Sequence, residues 1–159
     1  MDQFKRFGVE NDRNDYIDTS IYGIVCVFSL IEREIENYLK IHGLSASKFN
    51  ILMVIKHQGK ETGISQVEIG KRLVVTASNM TKQLDKLIAD GLAERFARQG
   101  DRRVNLIKIT QKGSDMLDSI WPGYYRKISE LADMINLQER ETLSKILAKW
   151  FSGLEKQQK

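Results

Sequence analysis

The sequence predicts a mainly α (α+β) fold: a helix-turn-helix with a two-stranded wing, held between long N- and C-terminal helices. Three observations lead there. Apolar residues recur at helical spacing through the chain on both sides of residues 65–110. Within 65–110, two short helical stretches joined by a tight turn are followed by two strand-like runs around a basic tip. One proline and 29% charged residues lean toward helix.

The 159 residues suit a single domain, and 42% hydrophobic content is enough for a core. Residues 1–13 read as loosely ordered. A helix is expected from about residue 15 to residue 41, because Ile17, Ile21, Ile24, Phe28, Ile31, Ile35 and Tyr38 form an unbroken seam. Its first half carries a second apolar row, Tyr22, Cys26 and Leu30, with Val25 and Val27 on the flanks. That half should be buried on nearly all sides, and a partner subunit is its natural cover. Gly43 suits a left-handed cap. Ser45 can cap the next helix, 46–57, which buries Phe49, Leu52 and Met53. Ile64 marks a short strand.

Ser65-Gln66-Val67-Glu68 is a capping box opening a helix of about eight residues, in which Gly70 would permit close helix approach. Residues 74–76 form the turn, with Thr76 a candidate cap. The next helix, 77–90, points Met80, Leu84, Leu87 and Ile88 inward and Ser78, Lys82, Asp85 and Lys86 outward. Gly91 stops it. Strands are expected at 92–97 and 104–109, with 98–103 as a basic turn. Thr110 can cap a long helix that Pro122-Gly123 should kink or interrupt. Asn136 and Glu139 signal a last helix carrying Leu143, Ile146, Leu147, Trp150, Phe151 and Leu154.

Charge is concentrated where the wing and second helix lie. Residues 65–110 hold nine Lys or Arg and five acids, whereas the remainder holds 16 of each, so the net +4 lies entirely in that stretch. A phosphate-binding surface requires such a surplus, although a solvated helix face can also carry one.

Several classes fit poorly. No apolar run approaches the ~20 residues that span a bilayer, so no membrane partner is expected. The polar N-terminus lacks a signal-peptide core, making the cytoplasm the default location. Cys26, the one cysteine, excludes an internal disulfide framework and a multi-cysteine zinc site. His42 and His57 fall near predicted helix ends, where surface or capping roles are expected. No phosphate loop or nucleophile elbow occurs, so neither an enzyme nor a cofactor nor a metal site is expected.

Leu84, Leu87, Gly91, Leu92 and Arg95, then Asp101-Arg102-Arg103, then Ile109-Thr110 form an ordered pattern. Met80-Thr81-Lys82-Gln83-Leu84-Asp85 precedes it and Leu137-x-Glu139-Arg140-Glu141-x-Leu143 follows. This set resembles the MarR-type transcriptional regulators, over about residues 15–154. The resemblance implies a single MarR-type domain over residues 1–159. In it, residues 15–43 and 111–154 are dimerisation helices and 44–110 the winged helix-turn-helix lobe. It also implies a sequence-specific DNA-binding regulator, expected to act as a repressor. Such a protein is a homodimer on a pseudo-palindromic operator in double-stranded DNA, modulated by a small-molecule effector.

The expected DNA contacts are Ser78, Asn79, Thr81 and Lys82 at base edges or groove walls, with Thr76 and Lys86 nearby. Ser65 and Gln66 are expected at phosphate. In the wing, the resemblance has Asp101 holding Arg103 for the minor groove, with Arg98 and Arg102 at phosphates. Each also has a plain reading as a solvated or turn-stabilising residue. Ile17, Ile21, Leu143, Ile146, Leu147, Trp150, Phe151 and Leu154 are expected in the dimer. Phe28, Phe49, Met53, Trp121 and Tyr125 are candidates for a ligand crevice, or ordinary core. Two alternatives stay open: a peroxide-sensing regulator acting through Cys26, against which no nearby cation lowers its pKa, and a non-specific architectural DNA-binding protein.

Overall fold

The computed structural model describes residues 4, 8, 16–60, 62–73, 77–98 and 101–157, with only the backbone of 77, 78, 98 and 101–104. The expected looseness of 1–13, the turn at 74–76 and the cap at Thr76 lie outside the described residues.

The chain forms two compact units, residues 1–124 and 125–159. Its helices are α1 (Ile17–Ile41), α2 (Ala46–Val54), α3 (Gln66–Arg72), α4 (Ala77–Ala89), α5 (Gln111–Ala132) and α6 (Leu137–Gln157). The strands are β1 (Ile64–Ser65), β2 (Ala93–Arg98) and β3 (Asp101–Ile109), in an antiparallel sheet ordered β1-β3-β2. A π-helical turn, Ile55–Gly59, extends α2 where an ordinary helical end was expected.

Local sequence explains most boundaries. Gly43 adopts φ 74° after α1. Ser45 Oγ accepts from the Lys48 N–H at 3.2 Å and caps α2. Thr110 Oγ1 accepts from the Gly113 N–H at 3.0 Å and caps α5. At α6 the capping box is complete: Asn136 Oδ1 accepts from the Glu139 N–H at 3.0 Å, and Glu139 Oε2 accepts from the Asn136 N–H at 2.8 Å.

The core of the first unit draws on every element around it. Leu39 of α1, Phe49, Ile51 and Leu52 of α2, and Ile55 of the π turn meet Ile69 of α3, with Met80, Leu84 and Leu87 of α4. Leu92, Ala93 and Ile107 close it from the sheet side, and Leu117 and Ile120 from α5. Burying a large aliphatic side chain stabilises the fold by about 1.5–3 kcal/mol.

Two expectations need correction, at Pro122 and at Gly70. The front of α1, for which a partner subunit is the expected cover, is uncovered within one chain. Ile17, Ile21, Tyr22, Ile24, Val25, Val27, Phe28, Leu30 and Ile31 stand exposed, and only from Ile35 onward does the seam reach the core. Pro122 does not interrupt α5, which runs through it. An interior proline costs about 3 kcal/mol. Here the carbonyl it deprives belongs to exposed Asp118, within reach of water, and the Tyr38 hydroxyl donates to the Ile120 carbonyl at 3.0 Å, two residues before the proline. Gly70 is not a close-approach point, since a Cβ there would meet nothing within 4 Å.

The closest backbone approach lies at Gly113. α4 ends as Gly91 takes φ 70°, with the Gly91 and Leu92 N–H groups donating back to Ile88 and Leu87 carbonyls, both at 2.9 Å. The start of α5 then satisfies the carbonyls left over. Lys112 Nζ donates to Asp90 O at 2.7 Å, Thr110 Oγ1 to Gly91 O at 2.8 Å and Thr110 N–H to Leu92 O at 3.1 Å. A Cβ on Gly113 would collide with the Leu92 carbonyl oxygen. Lys48 adds a cross-tie from α2, its Nζ 2.6 Å from Asp90 Oδ2.

Two predictions follow from this junction. Gly113→Ala is expected to lower stability to urea by about 1–3 kcal/mol through overpacking, whereas Gly70→Ala should raise it by about 0.5–1 kcal/mol. Equal effects at the two sites would refute the close approach. The hydrogen bond from Lys48 holds the Asp90 carboxyl below its ordinary value of 3.8. A lowered carboxyl pKa stabilises the fold above the unfolded value, and the contribution is lost as pH falls through the folded one. Lys48→Met should therefore be less stable than wild type at neutral pH, with the gap closing in acid below the carboxylate range. A gap that is unchanged in acid would contradict it.

Candidate nucleic-acid interface

The helix-turn-helix is built from α3 and α4. Ser65 Oγ accepts from the Glu68 N–H at 3.2 Å, as the capping box predicts. The reciprocal bond is not made. Glu68 instead receives Arg72 Nη1 at 2.9 Å and Lys71 Nζ at 3.0 Å, because cations three and four residues on share its helix face. Arg72 and then Lys71 hold the Glu68 carboxyl below its usual range. Two of the segment's nine cations are thereby engaged locally.

α4 is two-faced. Met80, Leu84 and Leu87 are buried, while Asn79, Thr81, Lys82, Asp85 and Lys86 stand exposed. Gln83 is half-buried. The first residue of α3 reaches across: Gln66 Nε2 donates to Thr81 Oγ1 at 2.6 Å. Of the expected contact residues, Thr76 and the Ser78 side chain lie outside the described residues.

The wing is the β2–β3 hairpin. Its ladder runs from Ala93↔Ile109 to Arg98↔Asp101, with an irregularity between Ala97 and Arg98. Asp101, Arg102 and Arg103 thus belong to β3 and not to a turn as expected. The hairpin is longer than the apolar pattern of 104–109 indicated, because backbone pairing continues through polar residues. The side chains of Arg98, Asp101, Arg102 and Arg103 lie outside the described residues, so the expected Asp101–Arg103 contact does too. Arg95 makes the cross-element tie that was not anticipated: its Nη2 donates to Asp85 Oδ1 at 2.9 Å, joining the wing to α4. Both belong to the motif quoted above, but no periodic signal pairs residues ten apart on a helix and a strand.

The ligand candidates divide. Phe49 is fully in the core and Met53 packs against it, while Phe28 and Trp121 are exposed. Tyr124, missed from sequence, links core to surface, with ring centroids 4.5 Å from Phe49 and 5.7 Å from Trp121. Burial raises its phenol pKa. Tyr125 is exposed and belongs to the second unit. Cys26 is half-buried on α1. His42 follows α1 with its ring 5.0 Å from that of Tyr38, and His57 is exposed in the π turn. Among the described residues no cluster of three or more His, Cys, Asp or Glu is placed to hold a metal ion. None of the described helices is long and apolar enough to cross a membrane.

Of the expected dimer residues, Ile17, Ile21, Leu143, Ile146, Leu147, Phe151 and Leu154 are exposed and Trp150 is half-buried. No described residue of α6 is buried within the chain.

Residues 42–104 match the family model described as MarR family. The chain is 34% identical over 119 residues to the HTH-type transcriptional repressor YetL of Bacillus subtilis, covering 75% of this chain and 71% of that protein. It is 31% identical to the multiple antibiotic resistance protein MarR of Salmonella typhimurium, covering 74% and 81% respectively. Its fold matches a MarR variant from E. coli complexed with operator DNA, with a TM-score of 0.77 at 26% identity, over 88% of this chain and 98% of that one. On these likenesses, and on the winged helix-turn-helix built from its own residues, the chain belongs to the MarR family.

Proposed function

We propose that this protein is a sequence-specific DNA-binding transcriptional repressor that acts as a homodimer on a pseudo-palindromic operator. The observation that carries the reading is the outer face of α4. Asn79, Thr81, Lys82 and Lys86 are exposed there, on the second helix of a helix-turn-helix. The segment around it holds the whole of the chain's positive surplus. Asn can pair with adenine and Lys with guanine in a major groove. The DNA contacts are Ser65, Gln66, Thr76, Ser78, Asn79, Thr81, Lys82 and Lys86, with Arg98, Asp101, Arg102 and Arg103 from the wing. The repressor name of YetL and the operator complex of the E. coli MarR variant support it.

Dimerisation is supported by two uncovered apolar faces, one along the front of α1 and one along α6. A second copy of the chain covers them, with residues 15–43 and 111–154 as dimerisation helices around the 44–110 lobe. Two copies of α4 then enter successive major grooves about 34 Å apart. A small-molecule effector shifts the DNA affinity. The aromatic row Phe49–Tyr124–Trp121, running from core to surface, supports a site for it. The work is binding, with no catalytic step, and it takes place where the DNA is, in the cytoplasm.

Two measurements test this. Selection of bound DNA from a random pool should yield an inverted repeat, and Arg103→Ala should weaken binding to every selected site while lowering the salt dependence of log affinity by about 1. Unchanged affinity at ordinary salt would remove Arg103 from the interface. The double variant Ile146→Lys, Phe151→Glu should sediment as a monomer and lose operator binding. A dimer with full affinity would place the interface elsewhere.

A further inference from the structure

One contact in the helix-turn-helix is not needed to build it. The short α3 is already capped by Ser65 and packed through Ile69. Gln66 nevertheless reaches 15 residues along the chain to place its Nε2 at 2.6 Å from Thr81 Oγ1. Thr81 lies on the exposed side of α4, next in the chain to Lys82. The pair therefore sits on the surface proposed to meet DNA.

A primary amide has two N–H donors and one carbonyl acceptor. Thr81 takes one N–H. With the N–H anti to the carbonyl oxygen given to Thr81, the second N–H and the carbonyl share one edge of the amide, the edge that matches the N7 acceptor and N6 donor of adenine in the major groove. A free glutamine side chain loses rotamer freedom when it makes such a contact. One anchored by Thr81 has lost most of it on folding, so its contact is stronger and more selective. We propose that Gln66 reads an adenine in each half-site and that Thr81 is a positioning residue acting through it. This rests on the DNA-binding reading above. It changes the part assigned to Gln66 from phosphate contact to base readout, and that of Thr81 from direct contact to positioning.

The test uses the full-length protein and the operator selected by wild type, with each position of a half-site replaced in turn by the other bases. Wild type should prefer adenine at one position by about tenfold or more. Gln66→Ala should abolish that preference and leave the others intact. Thr81→Val should lose most of the same preference, Thr81→Ser should retain it, and the double variant Gln66→Ala, Thr81→Val should be no worse than Gln66→Ala alone. Thermal unfolding of each variant checks that it folds. An adenine preference that survives Gln66→Ala would overturn the inference. So would even weakening at all bases together with lower thermal stability, which would make the pair only a brace between α3 and α4. A wild-type protein that selects no site would overturn the proposed function, and this inference with it.

Discussion

The contact on which most of the first unit depends is the backbone approach of α5 to the end of α4. Gly113 lies against the Leu92 carbonyl so closely that no side chain fits between them. Four elements converge there: α4 ends at Ala89, β2 begins at Ala93, β3 ends at Ile109 and α5 begins at Gln111. The leftover carbonyls of residues 90–92 are the ones a helix end and a strand start would otherwise leave to water. Thr110 and Lys112 satisfy them, so these four ends hold one another in place. A rotation of α5 about this point must carry α4 with it or break several hydrogen bonds at once. That makes the junction a mechanical link between α4, the helix proposed to meet DNA, and α5.

A second constraint acts at the opposite end of the design. Nine large apolar residues on the front of α1 are exposed in one chain, as are six on α6. An isolated surface of this kind invites association, because each such side chain gains on the order of 1–2 kcal/mol when covered. The second helix of the helix-turn-helix, proposed to meet DNA, differs. Met80, Leu84 and Leu87 of α4 are buried to within a few percent and its outer face is polar, although Val67 of α3 stands exposed. The contrast fits the proposed division of labour between a DNA-binding lobe and helices covered by a second copy.

Much of this was legible in the sequence because it is local. Caps at Ser45, Thr110 and Asn136 act over three residues, and Gly91 acts at one. Helical periodicity located all six helices and Ile64 the short strand. What was not legible joins residues far apart. The Gln66–Thr81, Arg95–Asp85 and Lys48–Asp90 contacts have no spacing rule, because they depend on how helices and wing pack. Competition between partners was equally hidden: Glu68 chose two neighbouring cations over the backbone N–H of its capping box. Pro122 leaves α5 uninterrupted because its cost can be absorbed at an exposed turn braced by Tyr38. The length of the wing was underread because its outer rungs are backbone pairs between polar residues.

In the proposed homodimer a fixed frame presents two lobes to DNA at one separation. A spacing series on the selected operator tests it most directly. Lengthening the centre by about half a helical turn, roughly five base pairs, puts the second half-site on the opposite face of the duplex. Affinity should then fall to that of a single half-site and recover in part when a full turn is inserted. Affinity indifferent to the inserted length would contradict it.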